Sequence, residues 1–421
     1  READRGDFRG RGRLGAVDAA ERHQNWGSEA LSVHEPLLNR ERYPYACTYR
    51  EYLTDDARLV LATLRGAVAA GAVALNYTRV AGFEVGRDEV TLTLRDMLGG
   101  EELRVRGAAV VNAAGPWVES VLGLGAAGSE GSRLHLSKGV HIALSRERLP
   151  LSNMVMMTHE DGRPVFAIPR GQVVYVGTTD TSVEGGPGYW PTVSAADVDY
   201  LLKPVNAHFR GSDATAADVV GSWAGLRPLI RQPGKAAREM SRRDEIWQHE
   251  ERFISIAGGK LTGYRKMAEQ VLKRVGEVLK RDVALADPLQ VLPGGDIPDL
   301  HEAVAAVANR YELSDRVALR LVRLYGNEVV DVLGSEPRQI AGGVFAEEVL
   351  WALKRESAQR LEDVVYRRLR VPWFRPGESQ TVALAALELM GDSLGWDGRR
   401  RDEELRTVRD RLRDDLAFSA A

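Results

Sequence analysis

The sequence predicts an α/β fold carrying an inserted antiparallel β-rich domain and followed by an all-helical C-terminal domain. Three observations carry this. An amphipathic helix pattern, TDDARLVLATLRGAVAAG, leads into strand and hairpin patterns in the first third of the chain. Beyond the Gly-rich joint GAAGSEGS (125–132), apolar and polar residues alternate, as half-buried strands require. After DPLQVLPGGDIPD the pattern is helical to the end. A framework interrupted by a β-rich insertion and then covered by helices is the simplest layering for that order.

The bulk numbers permit two or three domains in 421 residues. A net charge of −3, from 57 basic and 60 acidic residues, gives no polycation, and no nucleic-acid partner is expected. The single cysteine, Cys47, excludes an intramolecular disulfide framework and a multi-cysteine metal site, and fits a reducing compartment. No apolar run is long enough to span a membrane, and READRGDFRG lacks the apolar core of a secretory signal.

Residues 1–40 are polar and Arg-rich and read as a leader without regular structure. Within them Gly10, Gly12 and Gly15 spell G-x-G-x-x-G, and Glu35 follows where a ribose-binding acid would sit. That turn works only after a buried apolar strand, and READRGDFR offers only Ala3 and Phe8. The motif is therefore rejected as a cofactor turn. Order is expected from about residue 45. Thr54 is placed to cap the first helix, Asp55 and Asp56 favour its positive end, Leu59, Val60, Leu64 and Val68 form its apolar stripe, and Gly71 ends it. A strand, AVALNYTRV, a hairpin turning at Gly99-Gly100, and a buried strand, AAVVNAAG, follow. The insertion contributes KGVHIALS, PVFAIP and QVVYVGTTD, the last two joined at Arg170-Gly171. RFISIAGG then enters a long helix with Ala268, Val271, Leu272, Val275 and Leu279 on one face. The expected division is 1–40 leader, 41–122 with 250–285 for the α/β part, 123–249 for the insertion, and 296–421 for the helical domain.

Five places offer chemistry. In SIAGGKLTGYRKMAE, Gly258-Gly259 lets the backbone approach a flat or anionic ligand. Lys260 and a helix N-terminus, with Thr262 as its expected cap, add positive potential. The same text also describes an ordinary strand-to-helix turn with a surface lysine. In VVNAAGPWVESVLG, the small residues through Ala114 and Gly115 permit close approach of a cofactor or simply close packing, and Pro116 is placed to start a helix. In WAGLRPLI, Arg227 stands between a glycine and a proline, and REMSRRDEI adds Arg242 or Arg243. Arginine forks suit phosphate or carboxylate. His141 faces away from Val140 and Ile142, as a proton acceptor for an alcohol or as a structural histidine. Lastly, YRRLRVPWFRPG mixes arginines with Tyr366, Trp373 and Phe374, which suits either a membrane-interface patch or a loop with buried aromatics.

Taken in order, YLTDDARLVLATLRGAV, ALNYTRV, VVNAAGPWV, LSKGVHIAL, VVYVGTTD, WAGLRPLI, SRRDEI and IAGGKLTGYRKMAE resemble the FAD-dependent glycerol-3-phosphate dehydrogenases of aerobic bacteria and mitochondria. The helical tail looks like that family's C-terminal domain. The resemblance implies a D-amino-acid-oxidase-like FAD fold and FAD as cofactor. It implies oxidation of sn-glycerol 3-phosphate to dihydroxyacetone phosphate in glycerol catabolism, with electrons passed to a membrane quinone. It implies a substrate pocket lined by His141, Arg227, Arg242 and Lys260. Arg227 and Arg242 would bind phosphate or steer the alcohol, and His141 or Lys260 would handle the hydroxyl proton. Gly258, Gly259, Lys260, Leu261 and Thr262 would contact the flavin head. Ala114, Gly115 and Trp117 would flank the cofactor, and Val80 would meet its adenosine part through the backbone. The family also implies a cytoplasmic enzyme, peripheral on the inner face of the membrane, and leaves a homodimer open.

The family begins with an apolar strand, a glycine-rich turn and a helix for the ADP half of FAD, then a glycine-rich segment with another substrate-binding arginine. Residues 1–28 resemble neither. The sequence therefore leads us to expect a first βαβ unit that is missing, with the leader arising from a shifted reading frame or misplaced start. Two alternatives stay open: a cofactor-free inactive remnant, and an oxidase of the same fold acting on an amino or hydroxy acid. Paired Arg227 and Arg242 favour a doubly charged phosphate over one carboxylate.

Overall fold

The structure, a computed structural model, describes residues 23–125, 132–232, 243–285 and 290–418. The glycines at 10, 12 and 15, most of the 125–132 joint, and Arg242 lie outside the described residues.

The described chain opens on strand β1 (Gln24–Trp26), helix α1 (Ser28–His34) and strand β2 (Ala46–Thr48), with β1 and β2 antiparallel. This corrects the expectation of an unstructured leader for residues 23–40. Leu31 and Leu38 are buried and belong to the largest hydrophobic core. Glu35 is no ribose ligand: its buried carboxylate accepts the backbone N–H groups of Ser152 and Asn153. The polar composition concealed two anchoring leucines, and two are enough where a preformed sheet receives them.

Helix α2 (Asp56–Ala69) is capped by Asp55, not Thr54; the Asp55 carboxylate accepts from Arg58 N at 3.2 Å. Its expected apolar stripe is open, with Val60, Leu64 and Val68 each about half exposed (45%, 47% and 51%). The strand expected at AVALNYTRV starts only at Thr78. Residues 72–77 are irregular, and Val73 and Leu75 are exposed. The apolar stripe of a helix is covered by partners far away in sequence. Among the described residues, no element covers these. Next come β3 (Thr78–Val85), β4 (Val90–Asp96) and β5 (Glu102–Gly107), an antiparallel meander that turns at Gly99-Gly100, where Gly100 has φ +81°. Strand β6 (Val110–Asn112) leads through one 3-10 turn, Gly115–Trp117, into α3 (Val118–Leu122), with Pro116 in the first turn.

The insertion is a six-stranded antiparallel sheet of β7 (Leu134–Ser145), β8 (Val155–Thr158), β9 (Pro164–Arg170), β10 (Val173–Gly177), β11 (Thr181–Val183) and, beyond helix α4 (Ala195–His208), β12 (Val219–Ile230). Long β7 pairs with β10 and β11 along one edge and with β12 along the other. Ser194 and Asp197 close a reciprocal capping box on α4. Val198, Leu201 and Val205 of that helix seal Val140, Ile142, Leu144 and Val176 from water. The hairpin β13 (Asp244–Glu250) and β14 (Phe253–Gly258) forms a second sheet with β6, which runs parallel to β14. Helix α5 (Tyr264–Leu279) follows. Thr262 does not cap it but lies inside a 3-10 turn, Leu261–Gly263, and Gly263 occupies the cap position.

The C-terminal domain contains α6 (Leu300–Tyr311), α7 (Asp315–Tyr325), α8 (Val329–Leu333), a hairpin of β15 (Gln339–Ala341) and β16 (Val344–Phe345), α9 (Ala346–Arg355), a π-helical turn over Asp363–Arg368, α10 (Val371–Phe374), α11 (Ser379–Leu394) and α12 (Gly398–Asp414). The small hairpin corrects the expectation of helices throughout. The membrane-patch reading of 366–377 is also corrected: Tyr366 and Phe374 are buried and Trp373 half-buried, packed in the interior. Their rings lie against β12 and the helical domain's own core, so the arginines around them fasten domains together. No helix among the described residues is long and apolar enough to cross a membrane.

The motif TDDAR forms the fastening between domains. Asp55 accepts from Arg370 at 2.6 Å and also from Arg170 of β9, while Asp56 accepts from Arg370 at 3.0 Å. Arg58 donates to the fully buried Glu356 at 2.7 Å, and Arg65 makes a two-pronged pair with Glu328. Burial alone would raise the pKa of Asp55, but Arg370 and Arg170 outweigh it and hold the carboxyl below its usual range.

Candidate active site

Register in the inserted sheet decides which side chains share a face. In the β7–β12 pair His141 lies opposite Trp223, Gly139 opposite Gly225, and Ser137 opposite Arg227. In the β7–β10 pair His141 lies opposite Gly177 and Ala143 opposite Tyr175. Directly opposed residues and those two apart project to one side of a sheet. His141, Tyr175, Trp223 and Arg227 therefore stand on one face, opposite the face that α4 seals.

Between them the floor is glycine. A β-carbon on Gly177 would collide with the His141 ring, and one on Gly139 with the Arg227 guanidinium, whereas Gly225 fronts open space. His141 and Arg227 are four residues apart in register, leaving roughly 13 Å between their Cα positions at the rise of a strand. The Arg227 guanidinium reaches back over Gly139, two residues from His141 in register, so the two functional groups lie nearer than their Cα atoms.

Arg227 is held from behind. It donates to Thr179 O at 3.2 Å and Thr178 Oγ1 at 3.0 Å, with Asp180 at 3.6 Å and Ser137 bonded to Asp180 in turn. His141 stacks on Trp223 with ring centroids 5.2 Å apart and meets the Tyr175 edge at 5.8 Å. Burial, followed by the charge of Arg227, lowers its pKa to about 4. The imidazole is therefore neutral at physiological pH and able to accept a proton. A neutral base and a fixed cation on one sheet face suit an anionic alcohol.

The second sheet meets β12 at the strand end beyond Arg227. Strands β6 and β14 run parallel, and both end in glycine turns that open helices, the arrangement in which α/β sheets hold ligands beyond their strand ends. Gly258 and Gly259 both have positive φ, +82° and +79°, and a β-carbon on Gly258 would strike Arg243 O. Only glycine makes this turn without strain. Gly258 also abuts Ile230, three residues beyond Arg227, and the Gly115–Trp117 turn touches both β12 and β14. Lys260 is exposed at the head of the next turn, beside Leu261, itself 43% exposed. Ala114 and Gly115 are bare, and Gly115, at φ +55°, has open space where a β-carbon would point. A glycine turn with open space at Gly115 and a second turn headed by exposed Lys260 suit a flat ring that gains negative charge on reduction, such as a flavin.

The structure thus brings together Arg227, Gly258, Gly259, Ala114, Gly115 and Trp117, with Lys260, Leu261 and Thr262 on the adjoining turn. His141 stands further along the same sheet face. Val80 lies apart, in β3 opposite Leu94 at a bulge, and Arg242 is outside the described residues. Sequence reasoning missed Trp223, Tyr175, Asp180 and the glycine floor. The signal for the floor was present: KGVHI and WAGLR each place a glycine two residues from the functional side chain.

A family model described as FAD dependent oxidoreductase matches residues 2–264, and one described as the C-terminal domain of alpha-glycerophosphate oxidase matches 289–401. Aerobic glycerol-3-phosphate dehydrogenase of Staphylococcus aureus (strain USA300) is 32% identical over 403 residues, spanning 91% of this chain and 72% of that protein. The enzyme of strain MRSA252 matches to the same extent. The crystal structure of glycerol-3-phosphate dehydrogenase from Bacillus halodurans complexed with FAD superposes with a TM-score of 0.78 at 30% identity, over 96% of this chain and 84% of that one. The chain therefore belongs to the FAD-dependent glycerol-3-phosphate dehydrogenase family.

Proposed function

We propose that this protein oxidises sn-glycerol 3-phosphate to dihydroxyacetone phosphate with FAD as the hydride acceptor. The observation that carries the reading is the glycine-floored face with neutral His141 at one end and Arg227 at the other. Arg227, fixed by Thr178, Thr179 and Asp180, binds the phosphate, with Arg242 as a second cation. His141 accepts the C2 hydroxyl proton. The phosphate dianion offsets the charge of Arg227, which raises the basicity of His141 when substrate is bound. Gly258, Gly259, Leu261 and Thr262 would hold the flavin head, Ala114, Gly115 and Trp117 would flank it, and Val80 would meet the adenosine part. Bound there, FAD supplies the acceptor for the C2 hydride. Lys260 sets positive charge beside that position and is the second candidate for handling the hydroxyl proton.

The reading extends to quinone as electron acceptor, to peripheral association with the inner face of the cytoplasmic membrane, and to a homodimer. Support for these is the kinship with enzymes named aerobic dehydrogenases. The test is anaerobic mixing of the flavin-loaded protein with glycerol 3-phosphate while the visible flavin band is followed. Bleaching by glycerol 3-phosphate and not by sarcosine or D-alanine is expected; bleaching by the amino acids alone overturns the reading. Reoxidation by a soluble quinone, and its absence without one, tests the acceptor.

A further inference from the structure

Residue His141 has little of its own strand pair to fix its ring. On the β10 side its partner is Gly177, which has no side chain, and on the β12 side it is Trp223, whose ring lies nearly parallel at 17°. The His141 ring lies over the bare Gly177 backbone, and the nearly parallel Trp223 ring is the side chain that covers it. Trp223 is in turn held by rings that the C-terminal domain delivers: Trp373 at 5.3 Å and Phe374 at 5.9 Å, edge-on. Tyr175 closes the remaining side at 5.7 Å.

The segment carrying these two rings is seated tightly. A β-carbon on Gly221 would come within 3.1 Å of Pro372 O, and one on Gly171 within 3.0 Å of Phe374 O; Gln172 N donates to Phe374 O. Arg370, just ahead of α10, stacks over Trp373 and Phe374 at 5.0 and 5.1 Å while its guanidinium is held by Asp55 and Asp56. Arg170 covers Phe374 from the sheet side and shares Asp55. One carboxylate thus ties the helix α2 cap, the inserted sheet and the C-terminal domain together beside the ring stack. The indole Nε1 of Trp373 is buried with no hydrogen-bond partner among the described residues. That cost would not arise with phenylalanine, so what tryptophan contributes here is ring area against Trp223.

We propose that Trp373 is a positioning residue for His141, acting through Trp223, and that Asp55 latches it in place through Arg370. This rests on the assignment of His141 as the proton acceptor. The C-terminal domain is then part of the active centre without touching substrate. The charged and titratable groups facing His141 are Arg227 from β12, Asp56 from the head of α2, Arg370 from the C-terminal domain and, on β10, Tyr175.

The test uses the full 421-residue chain, with carbon-13 in the histidine rings and His141→Gln to assign the signal. Its readout, the chemical shift and titration midpoint of His141, needs neither substrate nor turnover. Failure of this proposal therefore shows separately from failure of the catalytic assignment. Trp373→Leu keeps the volume apolar and removes the ring. We expect the His141 midpoint to rise by about one unit as water reaches the ring, with its ring-current shift lost. Trp373→Phe is expected to restore most of both. In the loaded enzyme Trp373→Leu lowers kcat about tenfold or more with little change in KM. A folded Trp373→Leu protein with an unmoved His141 signal overturns the proposal. Should that variant fail to fold, Asp55→Asn decides, because asparagine still caps α2: loss of the ring-current shift of the neutral His141 ring supports the latch, and an unchanged ring-current shift overturns it, whatever the titration midpoint does.

Discussion

The two sheets of this molecule differ in how they are closed. The six-stranded sheet has one face sealed by α4, with Val140, Ile142, Leu144, Val165 and Val176 all at 0% exposure. The three-stranded sheet β13–β14–β6 has an open member, Val111 at 41%, and the helix α2 associated with its domain shows three half-exposed apolar residues. In the large sheet β8, β9 and β10 pair across turns and β7 finds its other partners within the insertion, whereas the parallel β6 and β14 pair only across the whole insertion. The large sheet is therefore nearly complete within residues 134–230 and can hold Arg227 and His141 rigidly. The small one supplies backbone turns.

This contrast is open to direct attack, beginning where the effect is largest. Removing the proton acceptor at one end of the large sheet's open face, by His141→Gln, should lower kcat by about 10²- to 10⁴-fold with flavin content unchanged, as steady-state assay of the loaded protein would read. Arg227→Met should instead act mainly through KM and lower kcat/KM by about 10²-fold or more; an unchanged KM would break the phosphate assignment.

On the sealed face, Ile142→Ala should cost about 2–5 kcal/mol in urea unfolding. At the junction between domains, Glu356→Ala leaves Arg58 buried without its carboxylate and should cost about 3 kcal/mol, seen as an earlier unfolding transition of the helical domain.

A smaller effect concerns pH. The folded pKa of His141, about 4, lies below the usual histidine value near 6.5. The unfolded chain thus binds the extra proton between those pH values, so this term stabilises the fold above pH 6.5 and is lost as pH falls to 4. The contribution is on the order of 1–3 kcal/mol, and His141→Gln should flatten the stability profile across that window. Smallest of all, Val111→Ala in the open sheet should change stability by less than about 0.5 kcal/mol. A loss as large as that of Ile142→Ala would show the two sheets to be equally closed.

Much of the site was legible because its backbone demands are local. Adjacent glycines with positive φ, a proline opening a turn, and a strand ending before a helix are all written within ten residues, as in IAGGKLTGY and NAAGPW. The hairpins at Gly99-Gly100 and Arg170-Gly171 were legible for the same reason. What failed depended on distant partners. Thr54 and Asp55 are both good caps, and the choice fell to Asp55, which also meets Arg170 and Arg370 from two other domains. The stripe of α2 has helical spacing but no cover among the described residues. Leu31 and Leu38 were hidden in polar text. Tyr366, Trp373 and Phe374 read as a surface patch, since nothing nearby in sequence announces Trp223, 150 residues upstream of Trp373.

By itself the sequence determined the antiparallel insertion, the two glycine turns and the identity of the residues with the chemistry for an anionic alcohol, because alternation, φ preference and charge are properties of short stretches. Only the tertiary structure decided that His141 and Arg227 share one glycine-floored face, that His141 is neutral there, and that TDDAR is a fastening between domains. Strand register, burial and ion pairing arise from groups tens to hundreds of residues apart, and their energies exist only once those groups are brought together.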